Sequence, residues 1–509
     1  MQNNRVTRAK LNMVTMILRQ LGATLCGIVI PRVMIGAFGS VVYGATTSIA
    51  QFLSYISLLE SGVGRVARGA LYKHLAAKDD LQISRVYKAI KVFFRNVGVI
   101  YLIYTFALSL IYHDIADITS FDRFYTSGLV VAISISTIVS YFSGISNMTL
   151  MHADQKQYLT NLIITATNVI NVACIVLLVQ LGADVLTVKL ASSIIFVVRP
   201  VLYTVYVKKN YNLSDVEKDA AALNQKWTGM GQHIAYFLHT NTDVVLLTLF
   251  ADLKMVAVYS VYHLVVVSIW NIASSFAGGM EATFGEMIAK KEKDSLNNAY
   301  HLYKCVLTMV ATVLFGCAGV LIIPFIRLYT KGITDADYIQ PLFGLLLLTA
   351  EFLNCLSLPC TTLPISANRL KQSRMGSYGE AFINVSVSVV LIWWNPLLGV
   401  AIGTMSATVF KSIYYIIFSG KYILRTNPSK IIGEFFAFFG LYTIISVIGA
   451  SLLKDIQMAN YLEWVLYGIV TFAAVMACVV GLCALMYPKE LKRIVGGLLL
   501  KIQEAPKRA

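Results

Sequence analysis

Apolar runs of about 20 residues recur along the whole chain, separated by short polar segments. The pattern opens with residues 11–64, LNMVTMILRQLGATLCGIVIPRVMIGAFGSVVYGATTSIAQFLSYISLLESGVG, which predicts two spanning helices joined by a tight turn near Ala37 to Ser40. A polar, basic stretch follows over residues 65–95, with leucines and isoleucines spaced for an amphipathic helix at a membrane surface. Further runs predict spans over 92–112, 124–150, 159–181 and 185–207. After the longest polar loop, 208–227, come runs at 234–250, 255–283, up to 326, and 341–363. A pair ending near 418 and two final runs, 431–453 and 461–486, bring the total to about 14. Each run matches a hydrocarbon layer about 30 Å thick. The runs are continuous rather than alternating, so the expected fold is an all-α polytopic membrane protein and not a barrel.

Composition agrees with that pattern. Of 509 residues, 57% are hydrophobic and 13% charged, and the mean hydropathy is +0.69. A soluble chain of this size could not bury so much apolar surface. The formal charge of +16 lies mainly in the N-terminus, in every second loop and in the basic tail from Lys489 to Ala509. That distribution is a topology signal rather than a nucleic-acid surface, and it places both termini in the cytoplasm. The eight cysteines lie mostly inside apolar runs without paired ligand spacing, so neither disulfides nor a metal are expected. No H-E-x-x-H and no G-x-x-x-x-G-K-[ST] occurs, which argues against zinc-peptidase chemistry and ATP hydrolysis by this chain. The external loops are short, which disfavours a membrane polysaccharide polymerase or ligase, the main enzyme alternative.

Landmarks repeat at a near-constant offset. Tyr43 and Tyr259 stand 216 residues apart, as do the Tyr-Lys pairs Tyr87–Lys88 and Tyr303–Lys304. The Asn of an Ile-Asn-Val recurs at Asn171 and Asn384. A duplicated six-helix unit follows, with lobes at 1–210 and 211–425 and two extra helices plus a basic tail at 426–509. An even number of helices per copy gives a pseudo-twofold axis along the membrane normal. Such a layout predicts transport by alternating access through a central cavity.

Charges inside spans sharpen the expectation, because each costs about 2.5–3.5 kcal/mol at the bilayer centre unless it faces a cavity or a partner. The cations are Arg19 and Arg32 in span one, Arg65 at the end of span two, Arg199 in span six and Lys411 in span twelve. Arg199 and Lys411 sit at similar depths of equivalent helices and are expected to face each other. The carboxylates are Glu60, Asp243, Glu281 with Glu286, and Glu351; His239 shares a helix face with Asp243. A cationic, hydrated cleft suits a phosphate-bearing headgroup, since arginine binds phosphate with two parallel hydrogen bonds. Buried carboxylates suit coupling to protons or sodium. The bland alternative is snorkelling to the interface for the cations and helix-capping or ion pairing for the acids.

The segments IPRVMIGAFGSVVYG, LLESGVGRVARG and TDVVLLTLFADLKMVAVYSVYHLV resemble the Wzx-type polysaccharide flippases of the multidrug/oligosaccharidyl-lipid/polysaccharide exporter (MOP) superfamily. The resemblance extends over essentially the whole chain. It implies a bacterial inner-membrane protein of O-antigen or lipopolysaccharide assembly. Such a protein flips an undecaprenyl-diphosphate-linked oligosaccharide from the cytoplasmic to the periplasmic leaflet, alongside other polysaccharide-assembly membrane proteins and without a cofactor. Helices thirteen and fourteen would be additions typical of the lipid-linked branches, because drug-exporting relatives usually stop at twelve. A cation-coupled multidrug exporter of the same superfamily is the second reading.

Overall fold

The computed structural model describes residues 2–60, 62–118, 120–219, 221–224, 230–275, 279–494 and 496. Among these there is no strand, and 16 α-helices follow one another in chain order. Eleven segments are long and apolar enough to cross a membrane, and one of them, Lys10–Glu60, is long enough for two crossings. This is a multi-pass helical membrane protein. Most of the predicted tail, residues 495 and 497–509, lies outside the described residues, as does the end of the predicted loop at Trp227.

The first two spans are the two halves of α1 (Gln2–Ser54), broken at Gly39. There φ is +83°, a backbone conformation that glycine adopts without a Cβ clash. The turn falls inside the predicted Ala37 to Ser40 window. It is pinned by Asp335, whose carboxylate accepts from the Ser40 N–H at 2.6 Å and the Ser40 hydroxyl at 2.7 Å. A 3₁₀ turn over Tyr55–Glu60 leads to α2 (Val63–Ala77) and α3 (Asp80–Ile115). The predicted surface helix is therefore two elements, with Lys78 in left-handed backbone (φ 54°) and Asp79 capping α3 through the Gln82 N–H. At about 1.5 Å per residue, the 36 residues of α3 reach some 54 Å, well beyond the hydrocarbon layer.

Span four is α4 (Arg123–Val139) and α5 (Ile145–Ala153), joined by a π turn at Ser140–Gly144. Gly144 is required there, because a Cβ would stand 2.8 Å from the Pro200 side chain. Spans five and six are α6 (Gln157–Gln180) and α7 (Val185–Asn210). Next come α8 (Met230–Phe250), α9 (Leu253–Ser275), α10 (Met280–Ala289), α11 (Lys293–Tyr329) and α12 (Pro341–Ser366). The chain continues with α13 (Leu370–Leu391), α14 (Pro396–Ser419), α15 (Pro428–Leu453) and α16 (Tyr461–Met486). Helices α8 and α13 are more polar than the apolar spans, yet with them the sequence-predicted count of about 14 is met.

Two compact units divide the chain. The first holds residues 1–260 and 332–336, the second 261–331 and 337–509. In the first, α6 packs on α1 and α7, and α4 on α3 and α7. In the second, α14 packs on α12 and α13, and α11 packs on α12, α15 and α16. The two final helices thus belong to the second unit through α11.

Candidate functional site

In the first unit α6 presents a polar face to two arginines. Asn161 Oδ1 accepts from Arg19 NH1 at 3.3 Å, and its amide donates to Thr15 Oγ1 at 3.3 Å. Two turns further along α6, Thr167 Oγ1 accepts from Arg199 Nε at 2.7 Å and Asn168 Oδ1 accepts from Arg199 NH2 at 2.6 Å. The Arg199 guanidinium also lies 4.1 Å from the Phe196 ring centre. Asparagine and threonine orient a guanidinium but do not neutralise it. Among the described residues, no carboxylate lies within ion-pair distance of Arg19, Arg68 or Arg199. Tyr203 is within electrostatic range of both Arg19 and Arg199, and His152 of Arg19 and Arg68. The result is a half-buried patch of positive charge with N–H donors to spare. A group carrying negative charge would complete it.

The second unit is built the opposite way. Lys411 on α14 donates to Glu380 Oε1 on α13 at 2.8 Å, and Glu380 is 2% exposed. Asn354 on α12 links this pair to Glu351: its Oδ1 accepts from Lys411 at 3.3 Å and its amide donates to Glu351 Oε2 at 3.1 Å. One ammonium and two carboxylates make this cluster acidic. Lys411 is therefore an ion-paired cation rather than a counterpart in kind to Arg199.

The other predicted charges are dispersed. Asp243 on α8 is buried in the first unit and accepts from the Tyr259 hydroxyl at 2.9 Å. Around it, Ser48 meets Thr248 at 2.6 Å and Gln51 donates to Asn241 at 2.8 Å. Arg65 is exposed and meets His233. Arg32 is half-buried, with its guanidinium beside Gly36, one turn further along α1. Glu60 is hydrogen-bonded to Tyr141. Glu281 is exposed in the first turn of α10, and Glu286 pairs with Lys290 at 2.6 Å on the same helix.

Sequence reading missed Glu380, Asn161, Asn168 and Arg68. Glu380 was detectable as an acid inside span eleven; the two asparagines are ordinary span residues until a neighbouring helix brings an arginine to them. A second buried pair was also missed, Lys304 on α11 with Glu434 on α15. Glu434 accepts from the Tyr487 hydroxyl at 2.9 Å as well. Lys304 stood in the sequence only as a repeat landmark.

No family model matches this sequence, and no curated protein sequence matches it. Solved structures do. The chain superposes on the lipid II flippase MurJ, in an inward closed conformation, with a TM-score of 0.71. That match is 11% identical and covers 93% of this chain and 98% of that one. The two share a fold. It is shared with the MATE multidrug transporter DinF-BH at a TM-score of 0.58, 17% identity, and coverage of 81% and 95%. An inward-facing multidrug resistance MATE transporter of the MOP superfamily matches at 0.57, 15% identity, and 82% and 98% coverage. This shared fold accounts for the helix order. The match to MurJ also covers more of this chain than either MATE match does.

Proposed function

We propose that this protein is a flippase of the bacterial inner membrane, with both termini in the cytoplasm. It moves a polyprenyl-diphosphate-linked oligosaccharide from the cytoplasmic to the periplasmic leaflet by alternating access. The observation that carries this reading is the arginine pair Arg19 and Arg199, held on α6 by neutral amide and hydroxyl groups with no carboxylate partner among the described residues. A drug exporter that binds lipophilic cations would be poorly served by such a patch, whereas a diphosphate would be drawn to it. The flippase MurJ among the structural neighbours supports a lipid-linked substrate, and the Wzx-type resemblance supports an undecaprenyl carrier in O-antigen or lipopolysaccharide assembly. Arg68 extends the same positive field towards the end of α5. Arg32 and Arg65 stand apart from it and act, in this reading, as entry or exit contacts for the headgroup.

Coupling belongs to the carboxylates. Asp243, buried with Tyr259, and the cluster of Glu351, Glu380 and Lys411 are the groups through which a proton or sodium ion would enter the cycle. The MATE neighbours and these acids support a second reading, a cation-coupled drug exporter.

The test is transport by purified protein in vesicles. The substrate would be a fluorescent polyprenyl-diphosphate sugar, with transfer between leaflets read by quenching from outside. Wild type should move the diphosphate lipid. Arg19→Gln and Arg199→Gln should each slow it by roughly ten- to a hundredfold, the worth of one charge-assisted hydrogen bond to a charged group. Efflux of a cationic dye by wild type, with no movement of the diphosphate lipid, would install the exporter reading instead.

A further inference from the structure

The Tyr87–Lys88 pair on α3 recurs 216 residues later as Tyr303–Lys304 on α11, and the expected duplication pairs the two helices. On α11 one face is covered by the two final helices. Gly316 lies against Val475 of α16, Gly319 lies against Ser446 of α15, and Lys304 pairs with Glu434. Neighbouring α11 positions Leu307, Ala311, Phe315, Ile322 and Ile326 are all buried.

Among the described residues, the face of α3 that lies 216 positions earlier has no such cover. Leu307 and Ala311 are replaced by Lys91 and Arg95, both exposed. Below them Val99, Ile103, Phe106 and Leu110 are exposed by 46%, 66%, 67% and 51%. All of these positions fall on one side of the helix, because they follow Lys88 at near-helical intervals. At the top of the stripe lies a groove of about 460 Å³, lined by Ser84, Tyr87, Lys88, Lys91, Arg95 and the segment Leu213 to Asp215. That segment is strapped to α3: the Ser214 N–H donates to Ser84 Oγ at 3.1 Å, the Asp219 N–H to the Arg85 carbonyl at 3.2 Å, and Asp215 pairs with Lys88. The Lys88 ammonium holds the Asp215 carboxyl below the usual carboxylate range. One carboxylate against three cations leaves the groove positive.

We propose that this face of α3 is a binding site for an anionic phospholipid. The phosphate headgroup occupies the groove at Lys88, Lys91 and Arg95, and the acyl chains lie along Val99, Ile103, Phe106 and Leu110. Charge complementarity selects this occupant. Where protein covers the face, on α11, the two positions are apolar; where it is open, they are cations at headgroup level above an apolar stripe as long as an acyl chain. Basic clefts on membrane-embedded surfaces recognise lipid headgroups in this way. The site is separate from Arg19 and Arg199.

Native mass spectrometry of the full-length protein tests the assignment, with phosphatidylglycerol and phosphatidylcholine of identical acyl chains as probes. Wild type should retain phosphatidylglycerol preferentially. Lys91→Gln with Arg95→Gln should weaken that retention by about thirtyfold, two cations' worth of headgroup attraction. Lys489→Gln with Lys492→Gln, which removes the same charge elsewhere, should leave retention unchanged. An unaltered thermal unfolding midpoint in phosphatidylcholine shows that the variants are folded. Equal retention by all three proteins overturns the site. Displacement of the lipid by excess inorganic phosphate makes it a soluble-phosphate site and overturns the lipid assignment. Loss of dimers in the Lys91/Arg95 variant, without loss of lipid, would mean that a second copy of the chain covers this face.

Discussion

Lys411 brings its ammonium into the second unit alongside Glu380, and the two are nearly dehydrated together. Attraction between such groups is offset by the cost of taking both out of water, so the pair adds little net stability, whereas removing one partner strands the other. Lys411→Met alone is therefore expected to destabilise the protein by about 3–5 kcal/mol, while Lys411→Met with Glu380→Leu recovers most of it. Thermal unfolding of the purified variants reads both, and transport by the double variant tells whether the charges serve coupling as well as packing. Arg19 and Arg199 differ in kind: their partners are neutral, so Arg→Gln exchanges there are expected to affect transport far more than stability. The helix that holds each charge could be read from the sequence. What each charge touches could not, because the partner comes from another helix whose rotation no periodicity reveals.

Helix α13 shows how a polar segment becomes a membrane span. It carries Glu380, Asn384, Ser377 and Ser388, and each of the first three meets a partner on α14. Lys411 takes Glu380, Thr404 Oγ1 accepts from Asn384 at 3.0 Å, and Tyr415 meets Ser377 at 3.1 Å. The approach is close because α14 offers glycines four residues apart. A Cβ on Gly399 would stand 2.7 Å from backbone atoms of Leu391 and Ile392, and one on Gly403 only 2.0 Å from Ser388 Oγ. Small residues at that spacing let helices pack backbone to backbone in lipid. Gly403→Val should force α13 and α14 apart, expose the polar face of α13 and lower the thermal midpoint by several degrees. Val400→Ala one turn away, also buried, should cost less, since it removes volume without separating the backbones. Hydropathy ranks α13 below the other spans because it scores each residue as if unpartnered; the hydrogen bonds that remove that penalty lie on α14.

For the whole molecule, the appended helices α15 and α16 cover one face of α11 and close the Lys304–Glu434 pair. A chain ending at residue 425 should therefore expose Lys304 and the glycine surface of α11, and limited proteolysis should cut the second unit while sparing the first. Wild-type-like resistance of both units would show that α11 is stable without this cover. The multi-pass helical character and a count of about 14 spans were legible in the amino-acid order. Hydrocarbon thickness acts on the chain one segment at a time, so runs of about 20 apolar residues reveal it directly. Which charges stay unneutralised was decided only by tertiary structure. Arg199 meets amides and hydroxyls while Lys411 meets a carboxylate, although their places in the sequence led both to be expected alike. Electrostatic energy depends on distances of a few ångströms between side chains remote in sequence, and those distances exist only once the helices have packed.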